Sequence, residues 1–309
     1  MPCPPTSLAS YRAPAPAPPP AARNGPATAA AWAVLHARVQ ARTPGLMMPP
    51  EPAGPPPPVP GQPRPVTGGP VGICTACRGP VRGGSTGRCF HCALHAESAP
   101  GLLADAVAPI AYAPKGGPLA RDLWLYKSSR PGAAQAAAGL RALFLTYLHA
   151  HGRQVWRRAG LAPPTHACVV PSGRGRPGPH PLQALACGYL TLPWAGLSQR
   201  PGADAWGRCL DPERFELGRP LPGARVLLLD DTWVSGGAAQ SAAVALKLGG
   251  CRSVVTVVLG RHVAAGDLPA AATRWPSPGD GRGSIGCDGD RPAAPVSYRP
   301  GPARPAHQP

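Results

Sequence analysis

Between residues 104 and 259 the chain alternates short apolar runs with amphipathic stretches. Ala104 to Tyr112 (ADAVAPIAY) reads as a strand, His166 to Val170 as a second and Leu190 to Leu197 as a third. Arg225 to Leu229 is a fourth, and Ser253 to Leu259 (SVVTVVL) a fifth. The last two are nearly unbroken aliphatic runs, the pattern of strands covered on both faces. The stretches between them have helical spacing. Pro118 to Tyr126 places Leu119, Leu123 and Tyr126 inward, and Ala133 to Ala150 puts Leu140, Leu143, Phe144 and Leu148 on one face. Ala238 to Leu248 is an alanine-rich helix. Strands alternating with helices imply an α/β fold with a mostly parallel sheet, flanked by helices and joined by right-handed crossovers.

Outside this region the pattern is lost. Many of the 47 prolines and 39 glycines lie in the two flanks, in runs such as APAPAPPP and GPPPPVPG. Residues 1–70 and 267–309 are therefore expected to be disordered or extended in polyproline form. Ala29 to Arg42, with Trp32, Leu35 and Val39 at helical spacing, is the one helical candidate in the first arm. The expected division is an arm (1–70), a cysteine module (71–98), an α/β domain (99–266) and a tail (267–309).

The net charge of +17 makes nucleic acid a candidate partner. Of the 31 basic residues, however, only Lys115, Lys127 and Lys247 are lysine, an arginine bias that a GC-rich coding sequence also produces. No apolar stretch approaches the roughly 18–20 residues that span a bilayer. The N-terminus lacks a basic start followed by an apolar core. Neither a membrane nor a signal peptide is expected, and the expected location is the reducing cytoplasm.

Four of the ten cysteines fall into two CxxC pairs, Cys74/Cys77 and Cys89/Cys92, with eleven residues between the pairs. Each CxxC turn aims two thiolates at one point, and two turns complete a tetrahedral zinc site. Gly79, Gly83, Gly84 and Gly87 let the chain reverse within so short a span. Four thiolates leave no open coordination position, so the metal's expected role is structural. A nucleic-acid-reading ribbon and a redox CxxC pair are the alternatives.

Residues 226–241, VLLLDDTWVSGGAAQS, carry the most chemistry. An apolar strand is expected to end at Asp230 and Asp231, whose charges would then face water or ligand. A Ser-Gly-Gly turn and a helix follow. In open α/β sheets ligands bind at the carboxyl ends of strands, and a helix N-terminus offers free N–H groups to phosphate. The carboxylates suit sugar hydroxyls and the loop suits a phosphate, so a ribose 5-phosphate is the natural candidate. A strand followed by an Asp-rich turn capping an ordinary helix is the plainer alternative.

This segment resembles the phosphoribosyl-diphosphate (PRPP) signature of type I phosphoribosyltransferases. With a four-cysteine module ahead of it, a YAPKGGPLARDLWLYKSSR segment and a strand ending in Val170-Pro171, the chain looks like the ComF-type members and their amidophosphoribosyltransferase-like relatives. The resemblance covers about residues 72–262. It implies that Asp230 and Asp231 hold the ribose hydroxyls, and that Thr232, Ser235, Gly236 and Gly237 wrap the 5′-phosphate. Two loop positions that usually bear hydroxyls are Val234 and Ala238 here, so weaker PRPP binding is expected.

Lys127, which matches the family's lysine in its Tyr-Lys segment, is a candidate phosphate partner; the alternative is a solvated cation at a helix C-terminus. The loop from Val169 to Leu182 holds Ser172, Arg174, Arg176 and His180 in Gly/Pro context. Arg174 and Arg176 can each offer a bidentate fork to a diphosphate, unless this is an ordinary surface loop. The Arg-Gly-Phe-Asn-type continuation of the family's loop is absent. The implied reaction is displacement of diphosphate from PRPP–Mg²⁺ by a nitrogen acceptor, catalysed by Asp230, Asp231, Lys127, Arg174 and Arg176. The rival is a non-catalytic ComF-like accessory to DNA uptake that retains a PRPP-type pocket and contacts DNA-uptake proteins or nucleic acid.

Overall fold

The structure, a computed structural model, describes residues 72–81, 87–172, 179–203 and 208–267. Residues 1–70 with the Ala29 to Arg42 candidate helix, residues 268–309 of the tail, Arg174 and Arg176 lie outside the described residues.

A two-stranded antiparallel ribbon, β1 (Gly72–Ile73) with β2 (Pro80–Val81), opens the described chain, and α1 (Phe90–Ser98) follows. Four strands build the main sheet: β3 (Ala106–Pro114), β4 (His166–Val169), β7 (Arg225–Trp233) and β8 (Ser253–Val263). Their spatial order is β3-β8-β7-β4, with every neighbouring pair parallel. The helices are α2 (Pro118–Leu125), α3 (Ala133–Arg158), α4 (Pro181–Ala186) and α5 (Gly237–Leu248). A separate antiparallel pair, β5 (Leu197–Gln199) and β6 (Phe215–Leu217), lies between α4 and β7 in the chain. Among the described residues no helix is long and apolar enough to cross a membrane.

Strand alternation divides the core into two layers. Leu227, Leu229, Val255, Val257 and Leu259 pack with Leu119 and Leu123 of α2 and with Leu140, Phe144 and Tyr147 of α3. Val226, Leu228, Val254 and Val258 pack on the other side with Ala239, Ala242 and Leu246 of α5. Cys74, Cys77 and Cys92 belong to this second layer, so the cysteine module shares a core with the sheet. Each fully buried Leu or Val contributes roughly 1.5–3 kcal/mol.

The structure revises three expected elements. The long helix does not stop near residue 150 but runs to Arg158, because buried Val155 and Trp156 extend its apolar face. Leu190 to Leu197 does not form one strand: a single bridge joins Ala167 to Trp194, Pro193 in its middle has no N–H to donate, and Leu197 opens β5. The signature strand does not end at the acids. β7 continues through Asp230, Asp231 and Thr232 to Trp233, because β8 pairs with it as far as Trp233↔Arg261.

Candidate functional site

Adjacent residues in a strand point to opposite faces. With Asp230 and Asp231 inside β7, their side chains leave the strand in opposite directions. Asp231 is 6% exposed and follows Leu227 and Leu229 toward the α2 side. There the Tyr126 hydroxyl donates to its Oδ2 at 2.6 Å, and Lys127 Nζ forms an ion pair with the same oxygen. Both partners stand at the end of α2, whose buried Leu119, Leu123 and Leu125 fix that helix on the sheet. Sequence reasoning offered Lys127 as a phosphate partner or a solvated cation; the structure places it on Asp231. The expectation that both charges face water or ligand therefore does not hold for Asp231.

Asp230 accepts a hydrogen bond from the Asp231 amide at 2.9 Å. Burial first, and then the charge of Asp231, push its carboxyl up to about 7, against a smaller downward pull from Lys127. A carboxyl near neutrality can hold a proton or give it up at little cost, unlike an ordinary surface aspartate.

The loop beyond β7 is closely packed. Gly236 has φ of +87° and caps α5; a Cβ there would run into the Trp233 ring. A Cβ at Gly237 would meet the carbonyl oxygens of Arg208 and Cys209 at 2.5 Å. Both positions thus require glycine. The Ser235 hydroxyl donates to the Arg208 carbonyl at 2.5 Å and accepts from the Gly237 amide at 3.3 Å. The backbone around Arg208 lies across the loop, tied down further by the Asp211 amide donating to Ser241 Oγ at 2.9 Å. Val234 is 43% exposed and Ala238 half-buried.

The fold therefore gathers Lys127, Asp230, Asp231, Thr232, Ser235, Gly236 and Gly237 at the carboxyl end of β7. His180, expected in an active-site loop, caps α4, its Nδ1 accepting from the Leu182 amide at 3.2 Å.

Sequence reasoning missed Arg261. It is buried near the carboxyl end of β8, and its Nη1 donates to the carbonyls of Trp233 at 3.0 Å, Val234 at 2.9 Å and His262 at 2.7 Å. The available signal was one arginine at the end of the valine-rich run SVVTVVLGRHV. Tyr126 was read only as an inward helix residue, with nothing local to mark its hydroxyl as a partner of Asp231.

The four cysteines converge. Their sulfur atoms all lie within 4.8 Å of one another, and Cys77 Sγ and Cys89 Sγ are 3.7 Å apart. A tetrahedron with Zn–S bonds of 2.3 Å has edges of about 3.8 Å, so the group fits a structural zinc ion. The amides of Cys77 and Cys89 donate to Cys74 Sγ at 3.5 and 3.3 Å, as suits a thiolate. His95 is buried nearby on α1, but only the cysteines form the cluster.

No protein-family model matches the chain, and no curated protein does. Among solved structures, the chain is similar to a hypoxanthine phosphoribosyltransferase from Staphylococcus aureus, with 13% sequence identity and a TM-score of 0.26. The match covers 42% of this chain and 75% of that one.

Proposed function

We propose that this chain is a phosphoribosyltransferase-like protein that binds PRPP with Mg²⁺ and transfers the 5-phosphoribosyl group to a nitrogen acceptor. One observation carries the reading: the last residues of β7, which include two acids, lead into a glycine loop and a helix N-terminus at the carboxyl edge of a parallel sheet. In the transfer, the bond from the anomeric carbon to the diphosphate oxygen breaks with its electron pair leaving on diphosphate. The acceptor nitrogen bonds to that carbon and releases a proton. Mg²⁺, when bound, neutralises charge on the leaving group. Asp230 accepts from a ribose hydroxyl, and amides of the loop and the first turn of α5 donate to the 5′-phosphate. Lys127, released from Asp231, is drawn to the diphosphate, with Arg174 and Arg176 as further cations. The four-cysteine module binds zinc and acts structurally.

A second reading has its own support. Ser235 is occupied by the Arg208 carbonyl, and Asp231 by Tyr126 and Lys127. Val234 and Ala238 supply no hydroxyls. These features favour a ComF-like, non-catalytic accessory to DNA uptake in the cytoplasm, using the same pocket as a sensor.

Calorimetric titration of PRPP with Mg²⁺, followed by a diphosphate-release assay with ammonia and free nucleobases as acceptors, tests both. Binding with release supports transfer, and binding without release supports the accessory. No binding at millimolar PRPP removes the pocket from both readings.

A further inference from the structure

We infer that Arg261 is a positioning residue that couples the four-cysteine module to the signature loop, so that metal occupancy at one governs the order of the other. Arg261 stands between the two. On one side its guanidinium gathers the carbonyls of Trp233 and Val234, where β7 turns into the glycine loop. On the other it packs against the backbone of Gly79, two residues beyond Cys77. A Cβ at Gly79 would lie 2.8 Å from Arg261 Cζ and Nε, so any larger residue there displaces the guanidinium from this position.

A second tie lies beside it. Tyr112, the register partner of Arg261 on β3, donates its hydroxyl to the Arg78 carbonyl at 2.7 Å. Arg78 sits at φ +59°, and its amide donates to the Cys74 carbonyl at 3.0 Å, so this backbone is held by the turn of the first CxxC pair. The Cys74 amide in turn donates to the Gly79 carbonyl at 2.8 Å. Closing the metal cluster fixes the 74–79 turn. That turn supplies the surface that aligns Arg261, and Arg261 fixes the first two carbonyls of the loop. Such coupling is reciprocal: whatever orders the loop must also retain the metal.

The experiment uses the full chain loaded with Zn²⁺. Backbone hydrogen exchange is followed at residues 234–237 before and after metal removal, with the amides of β7 and α5 as internal references. Loop exchange should quicken at least tenfold on stripping while the references change less. In Arg261→Met the loop should exchange quickly even with zinc bound, and Arg261→Lys, which keeps the charge but loses the planar guanidinium packed on Gly79, should fall between. Equal loop protection with and without metal overturns the coupling.

Where stripping unfolds the whole chain, zinc release to a chromophoric chelator replaces the comparison. Release from Arg261→Met and from Gly79→Ala should be at least fivefold faster than from wild type, and unchanged rates overturn the proposal. The final arm rests on the proposed PRPP site. PRPP–Mg²⁺ should slow zinc release from wild type but not from Arg261→Met. Failure of PRPP to bind would remove the proposed ligand while the exchange and release results still decide the coupling. Binding that slows both proteins alike overturns Arg261 as the link.

Discussion

The Tyr126 hydroxyl donates to Asp231 Oδ2 at 2.6 Å across 105 residues of sequence, and Lys127 pairs with the same oxygen. This contact separates two neighbouring acids into different roles. Asp231 is a buried, satisfied carboxylate that joins the end of α2 to β7. Asp230 is a carboxyl with a raised pKa on the other face of the strand.

The two acids should therefore differ in stability when replaced. Asp231→Asn weakens the contacts to Tyr126 and Lys127 and should cost about 1–3 kcal/mol, whereas Asp230→Asn should be neutral or stabilising. Tyr126→Phe should cost a similar 1–3 kcal/mol, because Asp231 loses a donor while staying buried. Urea denaturation of the three variants checks this. Equal effects at 230 and 231 would contradict the alternating placement.

The pH dependence has a definite sign. Asp230 titrates at about 7 in the fold against an ordinary 3.8, so between those values the folded chain binds more protons than the unfolded one. Stability from this group should be greatest below about pH 4, fall as pH rises, and level off above about pH 7. PRPP–Mg²⁺ affinity should run the other way and increase through pH 7, as the carboxylate becomes available to ribose hydroxyls. Both slopes should flatten in Asp230→Asn, measured by thermal unfolding and calorimetry from pH 5 to 8.

Metal removal should destabilise more than any single change at Cys168 or Cys251. One zinc per chain is expected on Cys74, Cys77, Cys89 and Cys92. Cys89→Ser should lose the metal and most of the soluble yield, since binding supplies on the order of 10 kcal/mol of apparent folding free energy. Elemental analysis alongside expression of the variant decides the point; normal folding without zinc would refute it.

The loop offers a test of gain. Val234 is exposed and Ala238 half-buried, so Val234→Thr with Ala238→Thr adds hydroxyls with little packing change. PRPP affinity should rise at least tenfold, equivalent to about 1.4 kcal/mol. Gly237→Ala should do the opposite and lower both stability and affinity, because its methyl meets the Arg208 and Cys209 carbonyls. Calorimetry on these variants reads both effects.

Local pattern was enough to reveal the central strands and helices. Val226 to Leu229 and the valine run from Ser253 are apolar on both faces whatever surrounds them, and α5 follows from its alanines. The cysteine cluster was equally legible, because the CxxC spacing brings each pair of ligands together by itself. Tertiary structure decided the rest. Whether β7 stops at Leu229 or continues through two aspartates depends on β8 offering backbone partners, and polar side chains conceal that. Once the strand continues, period-two alternation sends Asp230 and Asp231 to opposite faces, and only the docking of α2 supplies Tyr126 and Lys127. Arg261 likewise meets Gly79 through the parallel pairing of β3 with β8 and the seating of the ribbon at their carboxyl ends. The contacts of Asp231 with α2 and of Arg261 with Gly79 join residues more than a hundred positions apart, where no periodicity in the sequence can point from one to the other.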